Sequence, residues 1–259
     1  MGHVRLGTLP RSKKWEQVVA LIGAGSDASQ VAAATMEVVQ ERLKALSDDP
    51  ALVRSFWLLL QVSQASRTEG NFAVALSDAG VPVSGATPTA ADLAAGLTTA
   101  VDAWVASQGS RSALGEMAEM AAAETLAEFS QPRVLGLFPD RDVQTAQDAL
   151  ASRSTDKEFG TLARAFFARL TEKTLAHFIA RELPLHAGPD QAHAGLAGQR
   201  AFEEGLHTHC QEATRIVEKF ASGWISKARF EGKLDEEHAS RFVAYSLKKI
   251  RDELTMGAR

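Results

Sequence analysis

The run Thr155-Asp-Lys-Glu158 followed by Phe159, Leu162, Phe166, Phe167, Leu170, Leu175, Phe178 and Ile179 constrains the fold more than any other part of the chain. A threonine three positions ahead of a glutamate is the signature of a capping box, and the apolar positions after it return at the helical period. A segment with both features is a helix start joined to a buried helix face. It is expected to form the centre of the second half, with Pro184 ending the helical region.

The remaining chain follows the same logic. Alanine and leucine are abundant, there is a single tyrosine, and alternating Val, Ile and Thr runs are scarce, so intrinsic preference favours helix almost throughout. Ser12 caps a first helix with Trp15, Val18, Val19 and Ile22 on one stripe, ended by Gly23. Asp27, with Gln30 three positions on, opens a second helix through Val31, Met36 and Val39 to Leu46. Pro50 opens a third whose Leu52, Val53, Phe56, Trp57, Leu59, Leu60 and Val62 are apolar on most sides, which predicts burial. After the linker 80–89 come helices over Ala90–Ala106 and Ser112–Phe129.

The connector 131–140 contains two prolines and the apolar stretch Val134-Leu-Gly-Leu-Phe138, which could face solvent or pack between halves. It divides an N-terminal helical subdomain, 1–135, from a C-terminal one, 136–259, although one continuous domain fits the same pattern. A long helix over Gln199–Phe230, a turn at Gly232 and a last helix capped by Asp235 form a terminal hairpin. The expected fold is all-α: an irregular multi-helix bundle of about eight to ten helices ending in this long helical hairpin.

Charge narrows the functional classes. The net charge is -4, without the basic balance of a dedicated nucleic-acid binder, and no apolar run approaches the roughly 18 residues that span a bilayer. The single cysteine, Cys210, permits no internal disulfide and fits a reducing compartment, so a cytoplasmic protein is expected. The charge is uneven. Residues 70–130 carry seven acids against Arg111, while basic residues gather near both ends. Such asymmetry steers a charged partner or matches one part of the fold to another.

Four constellations carry candidate chemistry. Gly23-Ala-Gly25-Ser-Asp-Ala28 matches a loose dinucleotide fingerprint, but no later βαβ unit supports it, and it reads better as a helix end, a turn and the next cap. Arg181 and His186 have the Arg-x4-His spacing found in HEPN-type ribonucleases, where the pair polarises a phosphate and moves a 2′-hydroxyl proton. Among seven histidines and many arginines such spacings arise by chance, and Pro184 interrupts the pair, so the match is one of spacing rather than of family. Glu203, His207 and Cys210 fall at i, i+4 and i+7 and could offer three metal ligands, although a buried cysteine beside an exposed Glu–His pair explains them better. Finally Arg11, Lys13 and Lys14 before Trp15, with Lys227, Arg229, Lys248, Lys249 and Arg251 near the other end, could grip phosphates around aromatic rings.

No phosphate-binding loop, nucleophile elbow or His-Glu-x-x-His is present. The leading expectation is therefore a non-enzymatic helical adaptor or accessory subunit of a cytoplasmic multi-protein complex, without a cofactor, whose partner is another protein. The alternatives are a nucleic-acid-binding subunit that uses the basic ends, and an α-helical ribonuclease that uses Arg181 and His186.

Overall fold

The computed structural model describes residues 3–4, 12–46, 49–108, 111–131, 145–186 and 195–256. Among them the chain forms α1 (Lys13–Gly23), α2 (Ala28–Leu46), α3 (Pro50–Ala65), α4 (Phe72–Asp78), α5 (Ala90–Gln108) and α6 (Ala113–Phe129). Then follow α7 (Ala146–Ala151), α8 (Asp156–Ile179), a 3-10 turn over Leu183–His186, α9 (Gly195–Ala213), α10 (Arg215–Phe230) and α11 (Glu236–Met256). Among the described residues His3–Val4 also pairs in parallel with Arg111–Ser112 over two residues. The all-α expectation holds. None of the described helices is long and apolar enough to cross a membrane.

Short polar side chains set the helix starts by accepting from first-turn amides that have no partner within the helix. Ser12 Oγ accepts from Trp15 N at 3.2 Å, Asp49 Oδ1 from the Ala51 and Leu52 amides at 3.0 Å each, and Ser112 Oγ from Gly115 N at 2.8 Å. Asp49, directly before Pro50, is the cap that the proline-led reading of α3 leaves out. Thr155 accepts from Glu158 N at 3.2 Å, as its motif predicts. Full reciprocal boxes form at Thr89/Asp92 and Thr145/Asp148, with aspartate as the returning acid.

The expected long helix 199–230 is interrupted at Thr214. Its buried hydroxyl donates to the Cys210 carbonyl at 2.8 Å, where its own amide also points at 3.1 Å. The helix breaks there, so α9 and α10 form one bent limb rather than a straight rod. That limb runs antiparallel along α8. Asp156 pairs with Arg229 at one end, Arg164 with Glu218 in the middle at 3.4 Å, and Glu172 with His207 at the other at 2.8 Å. Gly160 permits the crossing, since a Cβ there would meet Glu218 Cα at 3.3 Å.

The core is one cluster that draws on both segments expected as subdomains. Phe242 on α11 sits at its centre. It stacks on Phe56 of α3 at 5.4 Å between ring centroids, lies 4.4 Å from Trp224 of α10, and touches Phe159 and Phe167 of α8. Burying each phenylalanine contributes about 1.5–3 kcal/mol, so this cluster ties the N-terminal α3 to the C-terminal hairpin. The connector Val134–Phe138 lies outside the described residues.

Candidate functional site

Among the described residues the turn end of the terminal hairpin presents the largest departure from ordinary burial. On α10 the core stripe is Val217, Ala221, Ile225 and Ala228. Phe230 stands two residues past Ala228, about 200° round a helix of 3.6 residues per turn, and so faces away from the core. It is 93% exposed. Trp224 and Phe220, earlier on the same helix, pack inward against Phe242, the latter at 5.6 Å. Phe230 and Trp224 therefore lie on opposite sides of α10. The heptad-like stripe in the sequence separates them.

Around Phe230 the charges bind one another. Lys227 and Lys233 both reach Glu231, at 3.8 and 3.1 Å, and the Lys233 hydrogen bond holds the Glu231 carboxyl below its usual range. Asp235 accepts from the amide of His238 at 2.8 Å and faces its ring, which lowers that carboxyl too. Gly232, at φ 64, makes the turn in a conformation that suits glycine.

The basic residues nominated as phosphate contacts do not form one open surface. Arg229 is half-buried, ion-paired with Asp156, and donates to Gln64 Oε1 at 2.6 Å. Burial, with Arg67 nearby, pushes its pKa down. Arg251 is bound to Asp252 at 2.6 Å, and Lys227 belongs to the Glu231 cluster. These three cations are already engaged within the fold. Lys248 is exposed, while the Lys249 ammonium lies 5.6 Å from the ring centroid of Tyr245, a residue 47% exposed. Lys13 and Lys14 are exposed on the first turn of α1, and Arg11 lies outside the described residues.

The acidic stretch has an internal use as well. Glu124 and Glu128 of α6 face Arg169 of α8, and Lys173 holds Glu124 at 2.7 Å. This part of the charge asymmetry joins two helices of one molecule.

The metal triad separates between core and rim. Phe202, Leu206, Cys210 and Ala213 form the buried stripe of α9, and Glu203 and His207 lie one step round the helix from Phe202 and Leu206, both exposed. Burial pushes the Cys210 thiol far up, in keeping with its place in the core, and His207 is held by Glu172. Among the described residues no group of three or more His, Cys, Asp or Glu is placed to hold a metal ion.

Arg181 is exposed just beyond α8, and His186 closes the 3-10 turn, its side chain outside the described part. The described imidazole that senses Arg181 is His177, one helical turn back, lowered by burial and then by that guanidinium. The glycine-rich match is a helix end: Gly25 turns the chain at φ 73 and Asp27 caps α2 through the Ser29 and Gln30 amides, at 2.9 and 3.1 Å. An open pocket of about 470 Å³ lies between the starts of α5 and α7, lined by Phe72, Pro88, Ala90, Ala146 and Gln147 among others. Its Thr89 and Thr145 hydroxyls are turned to their own aspartates at 2.7 Å each, and Gln147 Nε2 donates to the Ser66 and Thr68 carbonyls.

No family model, characterised protein or solved structure matches the chain.

Proposed function

We propose that this protein is a non-enzymatic helical adaptor, an accessory subunit of a cytoplasmic multi-protein complex, that binds another protein through the turn end of its terminal hairpin. One observation carries the reading: Phe230 is 93% exposed at the hairpin end, whereas the other aromatic side chains of α10 are packed. A rigid aromatic anchor ringed by mutually satisfied charges has the chemistry of an interface hot spot, where the ring fills a partner's pocket and the charges form a polar rim.

A second reading rests on a separate feature. Tyr245, half-exposed on α11 with Lys249 over its ring and Lys248 beside it, offers an aromatic and cationic contact to nucleic acid. The Arg181/His186 ribonuclease reading has no comparable geometric support.

The test is affinity capture with the full chain from a native extract, with and without nuclease, run in parallel with Phe230→Ala. The expected result is a near-stoichiometric protein that survives nuclease and is at least about tenfold depleted with Phe230→Ala, a hot-spot loss of roughly 1.4 kcal/mol or more. Equal capture by both chains, or no nuclease-resistant partner, overturns the reading. Recovery that disappears with nuclease, and with Lys248→Glu, transfers the function to nucleic-acid binding.

A further inference from the structure

Three elements meet at the His209 imidazole. Where α9 crosses the start of α2, a Cβ on Gly205 would lie 3.1 Å from the Ala28 Cβ, and this close approach sets His209, one turn further along, beside the cap Asp27. From the other side the Leu254 carbonyl, in the last turn of α11, lies near the ring and favours its protonated form. The Nε2 atom is buried and has no hydrogen-bond partner among the described residues. Packing at this junction is otherwise complete, with Leu206, Cys210, Ile250 and Leu254 all buried.

The charged groups on the packed elements are few. α2 brings Asp27, whose carboxylate already accepts from the Ser29 and Gln30 amides. α8 brings Glu172, held by His207, and the end of α11 brings the Arg251–Asp252 pair with Glu253. Asp27 is the charge that acts on the imidazole. Burial lowers the affinity of His209 for a proton, against the smaller opposing pulls of the Leu254 carbonyl and of Asp27.

We propose that His209 is an acid-sensitive latch between α9 and the last turn of α11. Protonation places an N–H at Nε2, where no acceptor stands among the described residues, and the end of α11 is released so that the imidazolium reaches water. When that end opens, the ring titrates near its ordinary value of about 6.5. The docked value is lower, so well above pH 6.5 both states are neutral and the latch is at full strength. As pH falls below about 6.5 the open state takes up a proton that the docked state refuses. Docking weakens until the pH passes the docked value and levels off there. This inference does not depend on which partner the hairpin binds.

Hydrogen exchange followed by mass spectrometry on the full chain at pH 7.5 and 5.5, corrected for the intrinsic rate at each pH, tests it. Peptides covering residues 248–256 are expected to lose protection by up to about tenfold at pH 5.5, the gain an open imidazole of ordinary pKa supplies one unit below that value. Peptides from the middle of α8 hold theirs. In His209→Gln, which cannot titrate, the loss disappears. Equal loss in the variant, or no loss in the parent, overturns the latch. If the variant does not fold, the His209 ring resonance of the parent protein decides, since titration at or above the ordinary histidine value is equally fatal to the proposal.

Discussion

Gly96 and Gly223 both lie inside long helices, α5 and α10, and on helical preference alone Gly→Ala at either should stabilise by about 0.8–1 kcal/mol. Their surroundings differ. A Cβ at Gly223 meets nothing within 4 Å, so the full preference is realised. At Gly96 the same atom would fall inside the contact distance of the Pro82 carbonyl oxygen, with Val81 Cγ1 at 3.2 Å and Pro82 C at 3.3 Å. The obstacle is backbone, not a flexible side chain, and Val81 is fully buried, so the linker must move away from α5. Overpacking of this kind costs about 1–3 kcal/mol and outweighs the gain in preference. At about 2–4 °C per kcal/mol for a chain near this size, thermal unfolding should place Gly223→Ala about 2–4 °C above the parent. Gly96→Ala should fall below it by a few degrees, up to about 8 °C. A melting temperature raised by Gly96→Ala would refute the close approach of the 80–89 linker to α5, and a lowered one for Gly223→Ala would show that α10 is covered there.

Two other substitutions probe the core and the discarded metal site. Phe242→Ala removes the ring that joins α3, α8 and α10 and should cost about 3–5 kcal/mol in urea unfolding. A loss under about 1.5 kcal/mol would contradict its central position, and two separated transitions would speak for independently folding halves. Native Cys210 should resist a water-soluble thiol reagent that modifies it rapidly in denaturant, because burial keeps the thiol protonated and out of reach. Rapid native labelling, or a melting temperature raised by stoichiometric zinc, would contradict the assignment of Cys210 to the core.

Much of the fold is local and is therefore legible along the chain. Ser12, Asp27, Ser112, Thr155 and Asp235 act as helix starts because a cap needs only residues within one turn, and Phe159 through Ile179 show the buried face of α8 because the helical period is itself a sequence property. The same arithmetic, applied to Val217, Ala221, Ile225 and Ala228, separates Phe230 from the core. Thr214 is harder to read. A threonine inside a long helical pattern is ordinary, and only the packed molecule shows that the limb breaks there and that both parts of it follow α8.

What only the tertiary structure decides is who pairs with whom. Arg229 looks like an available cation until α8 brings Asp156 and α3 brings Gln64 against it, and the acids of α6 look like a partner-seeking surface until Arg169 and Lys173 face them. Sequence separations of 41 to 165 residues lie between these groups. The metal spacing of Glu203, His207 and Cys210 fails for a related reason: helical periodicity places three residues near one face, but packing against α8 and α2 decides that the cysteine is core and the other two are rim. Capping and periodicity act within a turn or a single helix, so the sequence alone determines the helices. Burial and ion pairing depend on which faces meet across the whole chain, and only the packed molecule determines those.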